Sequence, residues 1–241
     1  MLGRADVGMR RMPEMPGGQR SEVVTTLADA VTSLQPGHPT RVAVEGRSAA
    51  GKTTLADELA AAVRARGCDV IRASIDDFHR PGHKFRSQRG GWTPRSYYDE
   101  GYDYDAFRDL LLRPLGPAGS RRCRTALFDS LHDVWLPEER HAVGDQTVAI
   151  VDGAFLRRPE LAGHWDYVIW LDVDMETMVE RARRRDVAWV GSEAVVEARY
   201  RRHWIPTHEL YERLTEPHTH AHAVIDNRIP REPKLLRLSP P

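Results

Sequence analysis

The stretch RVAVEGRSAAGKTTL, from Arg41 to Leu55, joins a short apolar strand to the spacing G-x-x-x-x-G-K-T. Gly46 and Gly51 allow backbone conformations closed to other residues and bring N–H groups against an anion. The helix that follows points its positive end at the same place. Lys52 can reach the β and γ phosphates of a nucleotide, and the Thr53 hydroxyl can bind Mg²⁺. The stretch therefore predicts a nucleoside triphosphate site. Its residues are Gly46, Arg47, Ser48, Ala49, Ala50, Gly51, Lys52, Thr53 and Thr54.

The composition argues against a chance match. The chain has 241 residues with 18 Gly, three Lys and 23 Ser plus Thr. This spacing would then occur by chance about 0.002 times in such a chain. Arginine supplies 32 of the 35 basic residues, so a lysine at position 52 is notable.

Size and charge limit the remaining possibilities. A chain with 41% hydrophobic residues can bury a full core as one α/β domain. The formal net charge is zero, so no overall field attracts nucleic acid or a membrane, and we expect neither as a partner. No apolar run approaches a membrane span, and the amino-terminal residues lack an apolar signal core, which predicts a cytoplasmic protein. Cys68 and Cys123 are expected to be reduced thiols.

Apolar runs that end in aspartate recur along the chain. They are Val70 to Ile75 before Asp76, Thr147 to Val151 before Asp152, and Tyr167 to Leu171 before Asp172. Helical patterns separate them, which predicts a P-loop NTPase-type α/β fold with a mostly parallel sheet flanked by helices. Residues 1–20 are predicted to be a disordered leader, residues 21–229 a single domain, and residues 230–241 a tail.

The strand-end aspartates are candidate metal ligands. Such a carboxylate holds Mg²⁺ in P-loop proteins, and Asp152 is the first choice. A helix cap or a turn residue is the alternative for any one of them. Between the strands, residues 79–105 are polar, Gly-rich and aromatic, and too long for a simple connection. This loop is therefore a candidate functional segment.

Two classes of nucleotide-binding protein fit poorly. Guanine-specific switches use an Asn-Lys-x-Asp segment, whereas Asn227 is the single asparagine and Arg228 follows it. Motor ATPases fit poorly because the chain is small, with one phosphate loop and no basic face. Phosphoryl transfer to a small acceptor remains.

The segments GRSAAGKTT, RASIDDFHRP, YYDEGYDYDAF, TALFDSLHD, VAIVDGAFL, RARRRD, RYRRHWIPTHELY and HAVIDN occur in this order between Thr40 and Asn227. Together they resemble the uridine kinase family, within the phosphoribulokinase, uridine kinase and pantothenate kinase group. The resemblance implies a small helical lid at about residues 181–203 and an acceptor-binding role for the long loop. It also implies ATP and Mg²⁺ as cofactors.

The resemblance further implies roles for individual residues. Asp76 would accept the proton of the acceptor hydroxyl and lie near the metal, and Asp99 would hold sugar hydroxyls. A solvated loop acid is the alternative for Asp99, and a solvated helix face for the lid arginines. The implied catalytic residues are Asp76, Lys52, Arg181, Arg184 and Arg185. The implied acceptor-binding residues are Asp76, His79, Asp99, Phe128, Asp129 and His132, and the metal ligands are Thr53, Asp76 and Asp152.

Some residues depart from the family pattern. The segment from Val187 to Val190 is apolar where the lid normally continues with charge, and Phe128 lacks a hydroxyl. The leading expectation is an ATP-dependent kinase acting on the 5′-hydroxyl of a nucleoside, uridine or cytidine. The alternatives are the same transfer to pantothenate, a sugar phosphate or nicotinamide riboside, and a non-catalytic ATP-binding regulatory module. The choice between ATP and GTP stays open, as does a homo-oligomer.

Overall fold

A six-stranded sheet with helices on both faces forms the centre of the molecule. The computed structural model describes residues 18–83, 86, 89 and 91–240. The strands are β1 (Thr40–Gly46), β2 (Val70–Ser74), β3 (Arg122–Cys123), β4 (Phe128–Asp129), β5 (Val134–Trp135), β6 (His141–Ala142), β7 (Val148–Gly153), β8 (Tyr167–Asp172), β9 (Ala223–Asp226) and β10 (Lys234–Leu238). The helices are α1 (Gln19–Thr32), α2 (Lys52–Arg64), α3 (Pro94–Glu100), α4 (Tyr104–Phe107), α5 (Arg113–Leu115), α6 (Pro159–Ala162), α7 (Met175–Val190), α8 (Glu193–Arg199), α9 (Ile205–Thr215) and α10 (Pro217–His220).

The order of strands in the sheet is β10-β9-β8-β1-β7-β2. All neighbours are parallel except β10, which runs antiparallel to β9. Strand β7 lies between β1 and β2, with Asp152 paired in register with Val44 on one side and Ser74 on the other. The carboxyl ends of these strands therefore meet at one edge, where ligands bind in such sheets. The predicted P-loop-type fold is confirmed.

Two apolar cores cover the faces of the sheet. One contains Leu27 of α1 and Leu59 of α2, both fully buried. Burial of one such leucine contributes roughly 1.5–3 kcal/mol. The other core is aromatic and includes Phe78, Phe107 and Phe155. Strand β1 is buried along its whole length, so packing on both faces of the sheet fixes the point where the phosphate loop begins.

The ends of the chain differ from the sequence expectation. Residues 1–17 and Pro241 lie outside the described residues, so the leader is described from residue 18 onward. Arg20, assigned to that leader, lies in α1 and forms a 2.8 Å ion pair with Glu58 of α2. The segment assigned to a tail contains β10, in which more exposed residues alternate with half-buried ones such as Leu235 and Arg237. This two-residue period suits an edge strand with one covered face.

The long segment after β2 contains regular structure. Ile75–Phe78 forms a 3₁₀ turn, and α3 begins at a capping box in which Thr93 and Ser96 exchange hydrogen bonds. Arg158, which follows β7, fastens this segment to the sheet. Its guanidinium lies 4.1 Å from the ring centre of Tyr98 and 4.0 Å from that of Tyr104, and it donates to the Tyr98 carbonyl.

In the described part of the chain, no helix is both long and apolar enough to span a bilayer.

Candidate active site

The loop between β1 and α2 is shaped by close backbone approaches. A Cβ on Gly46 would lie 2.3 Å from the carbonyl oxygen of Leu171, so a side chain there would collide with β8. Gly51 caps α2 with φ of 96°, a conformation that favours glycine. The loop thus ends against the unpaired N–H groups of the first turn of α2, the geometry that binds phosphate.

Thr53 and Asp152 meet at this helix end. The Thr53 hydroxyl donates a 2.7 Å hydrogen bond to Oδ2 of Asp152. The Asp152 side chain is 3% exposed, whereas Thr53 is exposed toward the cavity that it lines. The pair therefore presents a hydroxyl and a carboxylate oxygen side by side, an arrangement that suits two magnesium ligands.

Lys52 lies between the phosphate loop and the carboxylates. Its Nζ donates a 2.9 Å hydrogen bond to the carbonyl of Arg47. Burial lowers the pKa of Lys52, while the carboxylates of Asp76 and Asp152 act in the opposite direction. The ammonium group therefore has both predicted metal-site carboxylates as neighbours.

Asp76 and Asp77 are adjacent in sequence but differ in surroundings. Asp76 is exposed, lines the cavity and accepts a 3.0 Å hydrogen bond from the Tyr102 hydroxyl. Asp77 is half-buried, and the main cause that raises its pKa to about 6 is burial, followed by the charge of Asp76. Its backbone carbonyl accepts a 2.9 Å hydrogen bond from Leu127. Of the two, Asp76 is the one that a ligand in the cavity would meet.

A cavity of about 490 Å³ joins these groups, within the range of small-molecule sites. One wall is the phosphate loop, and the other is aromatic. The aromatic wall consists of His79, His83, Tyr97, Tyr102, Tyr200 and Trp204. A charged chain could lie along the first wall while a small organic molecule contacts the second.

His79 and His83 stack on each other within the aromatic wall, with ring centres 3.8 Å apart. Burial lowers the pKa of both rings, that of His83 to about 3, so both are neutral. The Nδ1 of His79 lies 2.6 Å from the carbonyl oxygen of Asp76, which can only accept, so Nδ1 carries the proton. His79 thereby ties its ring to the backbone of Asp76.

The lid arginines separate into two groups. Arg181 and Arg185 line the cavity. Arg181 donates to the carbonyls of Ala49 and Ala50 at 3.3 Å, and Arg185 forms a 2.6 Å ion pair with Asp186. Arg184 is 77% exposed and pairs with Glu180 at 2.6 Å, on the outer face of α7. The structure therefore brings two of the three predicted lid arginines to the site.

Several predicted acceptor-binding residues lie elsewhere. Asp99 pairs with Arg95 at 2.6 Å, and Phe128 packs in the interior against Trp135. Asp129 pairs with His132 at 2.6 Å, and the His132 side chain is 68% exposed. Within the described chain, none of the predicted residues Asp99, Phe128, Asp129 and His132 lines the cavity.

Arg47, predicted as a nucleotide contact, also points away. Its guanidinium pairs with Glu212 of α9 at 2.5 Å and with Asp172 at 3.2 Å. Next to it, the N–H of Ser48 donates a 3.1 Å hydrogen bond to Nε2 of His208. Burial lowers the pKa of His208 to about 3, which leaves this nitrogen free to accept. Helix α9 therefore contacts the first half of the phosphate loop through Glu212 and His208.

Sequence reasoning left several cavity residues without a role. His83, Tyr102, Tyr200 and Trp204 line the cavity. Tyr102, Tyr200 and Trp204 lie in segments that carry the family resemblance, YYDEGYDYDAF and RYRRHWIPTHELY. The high density of aromatic residues in those segments could have indicated an aromatic site. Their spacing, however, does not reveal which rings face the cavity.

The donor atoms at the site suit Mg²⁺ bound together with a nucleotide. In the described residues, no group of three or more His, Cys, Asp and Glu side chains could hold a metal by itself. Thr53, Asp152 and Asp76 offer hydroxyl and carboxylate oxygens, and Mg²⁺ usually binds one or two carboxylates plus phosphate oxygens. The residues therefore fit an ion that arrives with its phosphates.

One curated protein is similar in sequence to part of this chain. No family model matches the chain. It is 28% identical over 158 residues to uridine-cytidine kinase B of Dictyostelium discoideum, covering 64% of this chain and 61% of that protein. The chain thus spans less than two thirds of the length of this curated relative.

Solved structures share the fold. A possible uridine kinase from Bacillus stearothermophilus superposes with a TM-score of 0.66 at 20% identity, covering 84% of this chain and 97% of that one. A putative fructose transport system kinase from Silicibacter sp. TM1040 superposes with a TM-score of 0.65 at 27% identity, covering 79% and 94%. In its phosphate loop, its parallel sheet and its sequence, the chain is thus similar to uridine kinase-like P-loop proteins.

Proposed function

We propose that this protein is a phosphotransferase that moves the γ-phosphoryl group of ATP to a hydroxyl group of a small molecule. One observation carries the proposal: Lys52, Thr53, Asp76 and Asp152 line a single cavity at the carboxyl edge of the sheet. The relative named uridine-cytidine kinase B supports it.

The residues suit the steps of this reaction. The N–H groups at the start of α2 and Lys52 would hold the phosphate chain, with Thr53 and Asp152 beside it. Thr53 and Asp152 would hold Mg²⁺, which would supply positive charge that offsets the negative charge developing on the phosphates. The acceptor oxygen bonds to the γ phosphorus while the bond to the β–γ bridging oxygen breaks, which leaves ADP. The hydroxyl proton passes to the Asp76 carboxylate.

Arg181 and Arg185 would act on the transferring group. Both line the cavity, and a guanidinium stabilises the charge on phosphoryl oxygens. In this structure their donors are engaged with loop carbonyls and with Asp186, so contact with phosphate requires them to exchange partners.

A nucleoside, uridine or cytidine, is the first candidate acceptor. The aromatic wall supports it because rings stack on a planar base. A small polyhydroxyl compound is the second candidate. It is favoured by the placement of Asp129 and His132 on an exposed hairpin, away from the cavity, and by the neighbour named a putative fructose transport system kinase.

An acceptor panel tests the proposal. The protein is incubated with ATP, Mg²⁺ and one candidate at a time, namely uridine, cytidine, nicotinamide riboside, pantothenate, fructose or a sugar phosphate. ADP release and product mass are measured, and GTP replaces ATP in a parallel series. Turnover of a nucleoside supports the first candidate, and turnover of fructose or a sugar phosphate supports the second. Tight ATP binding without product from any acceptor would contradict a phosphotransferase and favour an ATP-binding regulatory module.

A further inference from the structure

Arg72, in the middle of β2, bridges two other elements of the site. Its Nε donates to Oδ1 of Asp57 on α2 at 3.0 Å, and its Nη2 donates to Oδ1 of Asp152 on β7 at 2.8 Å. Its Nη1 donates to the carbonyl of Ile150 at 2.5 Å. All three nitrogens of the guanidinium are therefore engaged, and the side chain is 20% exposed.

The two bridged elements carry the proposed magnesium ligands. Thr53 and Asp57 lie four residues apart on α2, so they share one face of that helix. Asp152 gives one carboxylate oxygen to Arg72 and the other to the Thr53 hydroxyl. The contacts at opposite oxygens fix the plane of this carboxylate and the separation between α2 and β7.

Loss of Arg72 would release the carboxylate. The Asp152 side chain is 3% exposed, so an oxygen left without its donor would be buried without a partner, which costs about 1–3 kcal/mol. Rotation of the carboxylate toward another donor would turn it away from Thr53. A lysine could not replace the arginine because one ammonium lacks the planar fork that reaches both neighbours.

The positive charge of Arg72 would by itself weaken magnesium binding, whereas its hydrogen bond to Asp152 would favour it. A cation beside a magnesium site repels the ion. Here Asp57 binds the same guanidinium, and its carboxylate offsets that charge. We therefore expect the orientation of Asp152 to be the larger effect of Arg72 on the site.

We propose that Arg72 is a positioning residue that sets the Asp152 carboxylate for the magnesium–nucleotide complex. This inference rests on the proposed function, because it requires that ATP bind with the metal at Thr53 and Asp152. Arg72 would act through Asp152 and would not contact the substrate itself. Partners of metal ligands typically change metal affinity by about 10–100-fold when they are replaced.

ATP binding by calorimetry at a series of Mg²⁺ concentrations, and in EDTA, tests the inference. For Arg72→Met we expect the Mg²⁺ concentration that gives half of the metal-dependent gain in affinity to rise about tenfold or more. The affinity for ATP in EDTA should change by less than about twofold, because the phosphate loop itself is untouched. Arg72→Lys keeps the charge but not the fork and should show the same shift.

Arg66→Met is the matched control. Arg66, just after the end of α2, also contacts a neighbouring helix, through a 2.7 Å ion pair with Asp29 and a hydrogen bond to the Thr25 carbonyl, but away from the cavity. The dependence of ATP binding on Mg²⁺ concentration in Arg66→Met should equal that of the unmodified protein. An unchanged or lowered magnesium requirement in Arg72→Met would overturn the inference, as would full recovery by Arg72→Lys. An unmodified protein that binds ATP equally in EDTA and Mg²⁺ would overturn the magnesium part of the proposed function, and this inference with it.

Discussion

The hydroxyl of Thr53 and the Oδ2 atom of Asp152 lie 2.7 Å apart, although 99 positions separate the residues in the sequence. The contact joins the first turn of α2 to the end of β7. It brings a helix start and a strand end to the same point, which is how this sheet can present oxygen ligands to an ion that accompanies phosphate.

Replacement of Asp152 by asparagine should weaken metal-dependent nucleotide binding. The amide removes the negative charge that favours the cation, and we expect the affinity for ATP with Mg²⁺ to fall about tenfold or more. Calorimetry in Mg²⁺ and in EDTA measures this. Asp172→Asn is the control, because Asp172 also ends a parallel strand but pairs with Arg47. Equal losses in both variants would show that Asp152 has no special relation to the ion.

Replacement of Asp76 by asparagine should abolish most turnover while ATP still binds. An amide cannot take the acceptor proton, and loss of a general base lowers the rate by about 10²–10⁴-fold. The matched change is Asp77→Asn, since Asp77 is half-buried and is not among the described residues that line the cavity. Rates on whichever acceptor the panel identifies measure the difference. If Asp77→Asn were the more damaging change, the assignment of the base would move to Asp77.

The lid offers a paired comparison of two neighbouring arginines. Arg185→Gln should lower the turnover number about 10²-fold or more, because Arg185 lines the cavity and would neutralise the transferring group. Arg184→Gln should change it by less than about twofold, because Arg184 is 77% exposed and pairs with Glu180. Steady-state rates at saturating ATP decide between them. Similar losses in both would mean that α7 rotates when the site closes.

Glu45 should make folding stability depend on pH. The carboxyl is fully buried, Oε1 accepts hydrogen bonds from Tyr211 and Leu156, and Oε2 has no partner within the described part of the chain. Burial raises the pKa of Glu45 to about 7 from its ordinary value of 4.5. Because the folded state keeps the proton, the stabilisation is complete below the ordinary pKa and is lost as the pH rises through about 7.

Urea unfolding of the unmodified protein and of Glu45→Gln at several pH values tests this expectation. Glutamine cannot ionise, so the difference in free energy of unfolding between the two proteins should shift by roughly 3 kcal/mol between pH 4.5 and pH 7.5, in favour of the variant. Parallel pH profiles would contradict a raised pKa at Glu45.

Local features of the sequence were sufficient for the phosphate loop and the sheet. Gly46, Gly51 and Lys52 act through the backbone and charge of one short segment, so their spacing alone predicts the loop. Asp152 could be located because a parallel strand ends at the edge where ligands bind. The confirmed fold class follows from the same alternation of apolar strands and helices.

The acceptor side could not be located in this way, because it depends on contacts between distant segments. Asp99 was chosen from its motif, yet its position on α3 directs it to Arg95. Arg184 shares a helical face with Arg181 in sequence terms, but the packing of α7 leaves it outside the site. Strand β10 was missed because its two-residue alternation is short and lies among prolines.

The clamp formed by Arg158 between Tyr98 and Tyr104 also bears on how the protein could open and close. It fastens the segment around α3 to the chain that leaves β7, the strand that carries Asp152. The clamp therefore holds the segment that contacts Asp76, the proposed proton acceptor, against the chain that follows Asp152, the proposed metal ligand. We expect the movements that admit a substrate and free a product to occur instead in α7, which carries Arg181, Arg185 and Asp186.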